Sequence, residues 1–125
     1  MNNEKDNVYD LVEDFYAHDE GWNTLLRQEY AEGFLRMEAW KGKKNSDLYR
    51  SWDNLTMLCL YLGSAETFLG DMNADDFIDC IAWCGRNISE FTPDYKNTQD
   101  FLETCDGLFK YLKGKNAISN DTVPG

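Results

Sequence analysis

The chain has 125 residues, the usual length of one domain, and it is long enough to bury roughly two-thirds of its extended surface. Apolar residues make up 42% of it and aromatic residues 14%, so the composition predicts a folded chain despite the net charge of −11. This charge repels nucleic acids and anionic membranes, and it favours basic protein partners. The same charge also keeps a small protein in solution without any partner.

The first predicted helix covers residues 6–18 and is followed by a break at 19–21, where a glycine can adopt a left-handed backbone. Its outward side is densely acidic. The side chains expected to face inward are Val8, Leu11, Val12 and Phe15. A second helix is predicted over 23–41, capped by Asn23 or Thr24, with three lysines near its carboxyl end.

A third helix is predicted to begin at Asn45 or Ser46 and to stop at Gly63. Residues 64–72 form a connector, with one short turn of helix at 66–69. The connector is predicted to end where the fourth helix begins.

The fourth helix is predicted over 73–91. Asn73 and Asp76 have the spacing of an N-cap pair and open this helix. A turn follows at 92–94. The fifth helix is capped by Asn97 or Thr98 and extends to residue 114.

Apolar residues recur at alternating steps of four and three in four stretches, the spacing that lines one side of an α-helix. Each stripe needs a neighbouring helix to cover it. The stripes are Leu26, Tyr30, Gly33, Met37 and Trp40; Leu48, Trp52, Leu55, Cys59 and Leu62; Phe77, Ile81, Cys84, Ile88 and Phe91; and Phe101, Cys105, Leu108 and Leu112.

The connections are short, so sequential helices are expected to be antiparallel. The sequence therefore predicts an all-α, up-and-down antiparallel bundle of four to five helices. It predicts one domain over 1–118 and a flexible tail over 119–125. The amino-terminal residues lack the pattern of a signal peptide, and the longest apolar run, 57–62, is too short to span a membrane. We therefore expect a cytoplasmic protein that does not bind membranes.

Four cysteines lie in the middle of predicted helices, on apolar faces: Cys59, Cys80, Cys84 and Cys105. We expect them to be reduced and buried, because reduced cysteine behaves as a small apolar side chain. In the alternative interpretation, the pair at 80 and 84 binds a soft metal together with another cysteine or with His18. This single histidine ends the first helix, where the helix dipole stabilises a charged imidazole, and we expect no catalytic role for it.

The most specific motif covers residues 69–79. Asp71, Asn73 and Asp75 occupy the first, third and fifth positions of a stretch that resembles an EF-hand calcium loop. The resemblance implies that their oxygens are calcium ligands. However, Asp76 replaces the glycine at the sixth position and Ala82 the bidentate acid at the twelfth. An aspartate-rich helix start is the favoured interpretation, and no cofactor or metal is predicted.

Two pairs of carboxylates offer a second alternative. Glu29 with Glu32, and Asp76 with Asp79, each lie one helical turn apart. This spacing resembles that of all-α nucleotide pyrophosphatases, in which paired acids on facing helices hold magnesium. The resemblance implies a magnesium-dependent nucleotide hydrolase. The pairs flank the apolar stripes, so solvent-exposed helix faces are the favoured interpretation.

The acids are unevenly distributed. Residues 1–20 contain seven acids and one lysine, whereas residues 51–85 contain six acids and neither lysine nor arginine. If the first helix lies against the third and fourth, these regions form one negative face. The only basic cluster consists of Lys41, Lys43, Lys44 and Arg50. The favoured interpretation is that these residues mark a helix end. In the alternative, they contact an acidic face of the same chain or of a second copy.

The sequence thus favours a small, non-enzymatic adaptor, regulator or inhibitor that binds a basic protein through a negative surface with aromatic anchors. The expected anchors are the tyrosines and Trp22, Trp40, Trp52 and Trp83. A homodimer that buries surplus apolar surface is a variant of this hypothesis. The magnesium-dependent hydrolase and the degenerate calcium-loop protein are the alternatives from other classes.

Overall fold

The computed structural model describes the backbone of residues 7–18 and 22–115 and the side chains of 7–18 and 24–115. These residues form helices that pack against each other, with no strand among them, so the predicted all-α helical bundle is confirmed. A 3₁₀ turn at Leu69–Asp71 joins the fourth and fifth helices. The helices are α1 (Val8–His18), the single turn α2 (Trp22–Leu25), α3 (Gln28–Trp40), α4 (Asn45–Ala65), α5 (Ala74–Asn87) and α6 (Tyr95–Gly114).

The chain divides into two compact units, residues 1–53 and residues 54–125. The prediction of a single domain over 1–118 stays a prediction. The predicted break at 19–21 and the predicted tail at 119–125 lie outside the described residues.

In the first unit, α1 packs against α3. Val8, Val12 and Tyr16 are the buried side chains of α1, one helical turn apart in a single row. The prediction that Leu11 faces inward is wrong, because its side chain is 44% exposed. The buried side chains of α1 are four residues apart, and Leu11 lies next to this row on the helix surface.

The predicted second helix, 23–41, is two helices in the structure. The chain leaves the helical conformation at Arg27, with φ −63° and ψ 142°, and α3 begins at Gln28. The carbonyl oxygen of Leu26 accepts a hydrogen bond from the Tyr16 hydroxyl. This partner lies on α1, so the break depends on tertiary structure, and no glycine or proline marks it in the sequence.

The apolar stripe predicted over 26–40 is wrong in part. Leu26 is buried and the next three members are half-buried, but the fully buried side chains of α3 are Ala31, Phe34 and Leu35. Trp40, the last residue of the predicted stripe, is 90% exposed. The buried side chains lie at i, i+3 and i+4, and the predicted stripe lies on the neighbouring side of the helix.

In the second unit, α6 contributes the largest set of fully buried side chains. The stripes predicted for the third and fifth helices are confirmed, since all their members are buried. In the stripe of the fourth helix, Ile81 and Ile88 are half-buried and the other members are buried. Phe77 of α5 packs edge-to-face on Phe109 of α6, with ring centroids 5.3 Å apart.

α4 continues beyond Gly63, where the sequence predicts its end, and stops at Ala65. Glu66 follows with φ +56°, and the Thr67 N–H donates to the Leu62 carbonyl over 3.1 Å. A glutamate thus occupies the left-handed position that glycine takes at many helix ends. The short turn predicted at 66–69 lies three residues later, at Leu69–Asp71.

α5 begins as the sequence predicts. The Asp76 N–H donates to Asn73 Oδ1 over 3.1 Å, and the Asn73 N–H donates to Asp76 Oδ2 over 2.9 Å. These two bonds form a capping box. The helix ends at Asn87, four residues before the predicted end.

The beginning of α6 differs from the prediction, and its end agrees. The N-cap is Asp94, whose Oδ1 accepts from the Asn97 N–H over 2.8 Å. The Asn97 side chain instead donates to the Thr92 carbonyl over 2.9 Å. The turn at 92–94 therefore brings the cap three residues forward, and α6 ends at Gly114 as expected.

Candidate functional site

The most unusual surface of the second unit is formed by residues 54–85, called the acidic segment below. It contains five carboxylates and no lysine or arginine. Asp76 is half-buried and the other four are exposed, namely Glu66, Asp71, Asp75 and Asp79. The negative charge of this stretch therefore faces solvent without a cation from the same stretch.

Apolar side chains are exposed among these carboxylates. Phe68, in the connector before the 3₁₀ turn, is 58% exposed, and Ile78 on α5 is 66% exposed. Each leaves apolar area in water that a bound partner could cover. The acidic segment thus combines charge with apolar contact area.

Two aromatic rings meet where α4 and α5 pack against each other. The centroids of Tyr61 and Trp83 are 6.1 Å apart, and the ring planes are inclined by 67°. Burial raises the pKa of Tyr61, and the charges of Asp76 and Asp79 raise it further. The two carboxylates therefore lie close enough to act on the phenol. Carboxylates and aromatic rings in this arrangement can bind a cation.

The residues proposed as calcium ligands are placed at the start of α5. Asp71 ends the 3₁₀ turn, Asn73 caps α5, and Asp75 lies in its first helical turn. The Asn73 side-chain oxygen is engaged by the backbone of Asp76. Across the described residues, no group of three or more His, Cys, Asp or Glu side chains is arranged to hold a metal ion.

The residues proposed as magnesium ligands fall into both units. In the first unit, Glu29 accepts a hydrogen bond from Arg27 over 3.0 Å, and Glu32 accepts from Gln28 over 3.0 Å. These four side chains line a surface pocket of about 460 Å³. Asp76 and Asp79 belong to the second unit, where Asp76 caps α5. The hydrolase interpretation stays a prediction.

The cysteines are free and buried, as the sequence predicts. Burial raises the pKa of Cys59 and of Cys105, and a hydrogen bond to the Cys84 sulfur raises the pKa of Cys80. Protonated, buried thiols are poor nucleophiles and poor metal ligands. Cys59, Cys80 and Cys105 therefore have a packing role, whereas the hydrogen bond with Cys80 lowers the pKa of Cys84.

His18 ends α1, as expected. Its Nδ1–H donates to the Asp14 carbonyl over 2.8 Å, and the same nitrogen lies 3.5 Å from Asp14 Oδ1. Both side chains are exposed. The imidazole therefore stabilises the helix end by hydrogen bonding to its own helix.

The basic cluster lies at the end of α3 and the start of α4. Lys43 Nζ is 3.6 Å from Glu38 Oε1, an ion pair within the first unit. Lys41, Lys44 and Arg50 are exposed, and so is Trp40 beside them.

Two of the predicted tryptophan anchors are accessible. Trp40 is exposed and Trp83 is half-buried, whereas Trp52 is buried against Phe15 with ring centroids 5.5 Å apart. The side chain of Trp22 lies outside the described residues. The prediction that Trp52 serves as a surface anchor is wrong, because its ring belongs to the core of the first unit.

Sequence reasoning missed the Tyr61–Trp83 contact. One signal was present: Asp76, Asp79 and Trp83 stand at i, i+3 and i+7, so they share one side of α5. The position of Tyr61 opposite them depends on how α4 and α5 pack. That packing cannot be derived from spacing within either helix.

No match to this chain was found among protein-family models, curated proteins or solved structures. In the described part of the chain, none of the helices has the length and apolar character needed to cross a membrane.

Proposed function

We propose that this chain is a non-enzymatic interaction module that binds a basic protein partner through the acidic segment. One observation supports this proposal above all others. Within residues 54–85, five carboxylates share the surface with the exposed side chains of Phe68 and Ile78, and no cation is present. The partner supplies the lysines and arginines that the segment lacks.

Charge and apolar contact have different roles in this proposal. Exposed carboxylates attract a basic partner over about one Debye length, ~8 Å at physiological ionic strength. They speed association and exclude acidic proteins. Phe68 and Ile78 then lose water on contact, and buried side chains of this kind contribute much of the affinity of protein interfaces.

The proposal also includes the cellular compartment in which the protein acts. Free, buried thiols agree with a reducing compartment, so we propose that the chain acts in the cytoplasm. Nucleic acids and anionic membranes are not among the proposed partners, because like charge opposes their approach.

The competing explanation is that the acids serve only solubility. In that case the number of acids matters and their position does not. Two double variants separate the explanations. Asp75→Asn with Asp79→Asn removes two charges from α5, and Asp10→Asn with Glu13→Gln removes two from α1. Each pair combines an acid of a first helical turn with one further along the helix.

The experiment immobilises wild type and both variants and captures proteins from a lysate, with identification by mass spectrometry and elution in salt steps. We expect wild type and the α1 variant to retain the same basic protein, which is released as salt shortens the Debye length below ~8 Å. The α5 variant is expected to lose it. Equal retention, or equal loss, by the two variants would overturn the proposal. Thermal unfolding followed by circular dichroism controls for folding.

A further inference from the structure

The end of α3 and the start of α4 form a basic surface in an acidic chain. Residues 40–50 contain four cations and one acid, Asp47, whereas the whole chain has a net charge of −11. The exposed side chains of this surface, called the Trp40 patch below, are those of Trp40, Lys41, Lys44 and Arg50. The patch belongs to the first unit and is separate from the acidic segment.

Trp40 is exposed at a helix end whose backbone is closed by hydrogen bonds. The Lys43 N–H donates to the Glu38 carbonyl over 3.1 Å. The Gly42 N–H donates to the Ala39 carbonyl over 3.0 Å, and Gly42 has φ +102°, so the two bonds form a Schellman motif. The indole is 90% exposed although its backbone is held in this way. A partner that covers the ring therefore gains apolar contact without first having to order the chain.

The cations of this surface differ in availability. Lys43 Nζ lies 3.6 Å from Glu38 Oε1, so this lysine is engaged within the turn. Lys41, Lys44 and Arg50 form no ion pair with any of the residues that the structure describes. Three positive charges thus remain for a partner within ten residues of an exposed indole.

We propose that the Trp40 patch binds a short acidic peptide stretch of a partner protein. Its carboxylates pair with Lys41, Lys44 and Arg50, and one of its apolar side chains packs on the indole of Trp40. Charge complementarity carries this inference, which goes beyond the proposed function because it assigns a different surface. The chain then has one interaction surface of each charge, a basic one in the first unit and an acidic one in the second.

A short peptide fits the patch better than a long polyanion or a second copy. Arg50 lies about 8 Å along the helix axis from Asn45, the first residue of α4, so the cations are confined to a small area. A nucleic acid would extend past them, and a chain with a net charge of −11 would repel its phosphates. A second copy has the same net charge and is repelled before contact. A short peptide places its carboxylates only where the cations are.

The test uses the whole chain and a six-residue peptide of alternating glutamate and leucine, acetylated and amidated at its ends. The four indole N–H signals of the ¹⁵N-labelled protein are followed by NMR, and the Trp40 signal is identified by its loss in Trp40→Phe. We expect the peptide to shift the Trp40 signal more than those of the other tryptophans, with an affinity that falls as salt is added. The same peptide with glutamine in place of glutamate is expected to shift none of them.

Two double variants provide the matched comparison. Lys41→Gln with Lys44→Gln removes two cations from the patch, and Lys96→Gln with Lys115→Gln removes two exposed lysines from the second unit. Lys96 also adjoins an exposed aromatic residue, Tyr95, so the control resembles the patch locally. We expect the patch variant to weaken peptide binding about three- to tenfold, and the control to weaken it less than about twofold.

A third variant tests the indole. Trp40→Ala removes a ring that is 90% exposed, so thermal unfolding is expected to stay unchanged. Peptide binding, followed by the backbone amide signal of Gly42, is expected to weaken about tenfold or more.

Four results would overturn the acidic-peptide site. Two of them are equal shifts with the glutamine peptide and equal losses from the two lysine variants. Tighter binding of inorganic polyphosphate would show a polyanion site instead, and a Trp40 signal that moves with protein concentration alone would make a second copy the occupant. None of these results bears on lysate capture by the acidic segment, so the proposed function stands or falls separately.

Discussion

Gly85 occupies a position that no larger residue can take without moving its surroundings. An ideal Cβ there would lie 2.9 Å from Pro93 Cγ and 3.3 Å from Pro93 Cδ. The proline ring is closed, so these atoms cannot rotate away as the end of a flexible side chain would. The close approach of α5 to the turn before α6 therefore requires glycine.

We predict that Gly85→Ala lowers the free energy of unfolding by about 1–3 kcal/mol, because the clash outweighs the higher helix propensity of alanine. Gly114→Ala is the control, since a Cβ there meets open space. It is expected to leave stability unchanged or raise it by up to about 1 kcal/mol. Urea unfolding measures both, and a stabilised Gly85→Ala would show that Pro93 moves aside.

At the scale of the elements, a small polar network joins α4 to α6. Asn54 Nδ2 donates to Thr104 Oγ1 over 2.9 Å and to Asp100 Oδ2 over 3.0 Å. Asn54 and Thr104 are buried in an otherwise apolar core. The network favours this position of α4 along α6, because a shift would separate these buried groups from their partners.

We predict that Asn54→Ala costs about 1–3 kcal/mol of unfolding free energy, since it leaves the Thr104 hydroxyl and Asp100 with fewer partners. Asn54→Asp is expected to cost more at neutral pH, because it faces Asp100 with a second negative charge. Its penalty should shrink as the pH falls below about 4, where carboxyl groups protonate. Thermal unfolding at several pH values tests this, and a pH-independent penalty would contradict the charge explanation.

The predicted stripes succeed in α4 and α6 because their apolar residues form one continuous row with few alternatives. α3 offers two overlapping apolar rows, and its packing against α1 decides that Phe34 and Leu35 are buried rather than Met37 and Trp40.

The helix caps were likewise predictable only where the sequence offers a single candidate. Asn73 was predictable from Asp76 three residues later, whereas Asp94 competes with Asn97 and Thr98, and the turn containing Pro93 decides between them.

For the whole molecule, the buried thiols link stability to alkaline pH. Burial raises the pKa of Cys105 above the ordinary thiol value, ~8.5. The unfolded chain therefore releases this proton at lower pH than the folded chain does. The stabilising contribution is complete below that ordinary value and is lost progressively as the pH rises above it.

We predict that the free energy of unfolding falls between about pH 8 and pH 10, by up to ~1.4 kcal/mol per pH unit for each such thiol. Cys105→Ala lowers stability overall, but its decline with pH is expected to be shallower than that of wild type. Comparing the two slopes cancels the tyrosines and lysines that titrate in the same range. Parallel curves would contradict a raised pKa for Cys105. Urea titrations at each pH give the measurement.

The candidate site could be predicted only in part. The excess of acid over 54–85 is visible in the sequence, and so is the shared helix side of Asp79 and Trp83. The Tyr61 hydroxyl and the exposure of Phe68 depend on where α4 ends and how it meets α5. Both depend on tertiary structure, so composition supports the proposed class of partner and the fold supports the proposed contact surface.

At Glu66, the negative charge of the acidic segment and the stability of the fold make opposite demands on the residue type. Its left-handed backbone disfavours any side chain by about 1 kcal/mol, and its carboxylate sits at the negative end of the α4 dipole. A protein engineer seeking heat resistance would place glycine here and relieve both penalties. The same change would remove one of the five carboxylates of the acidic segment. The more thermostable variant would therefore attract cationic proteins more weakly.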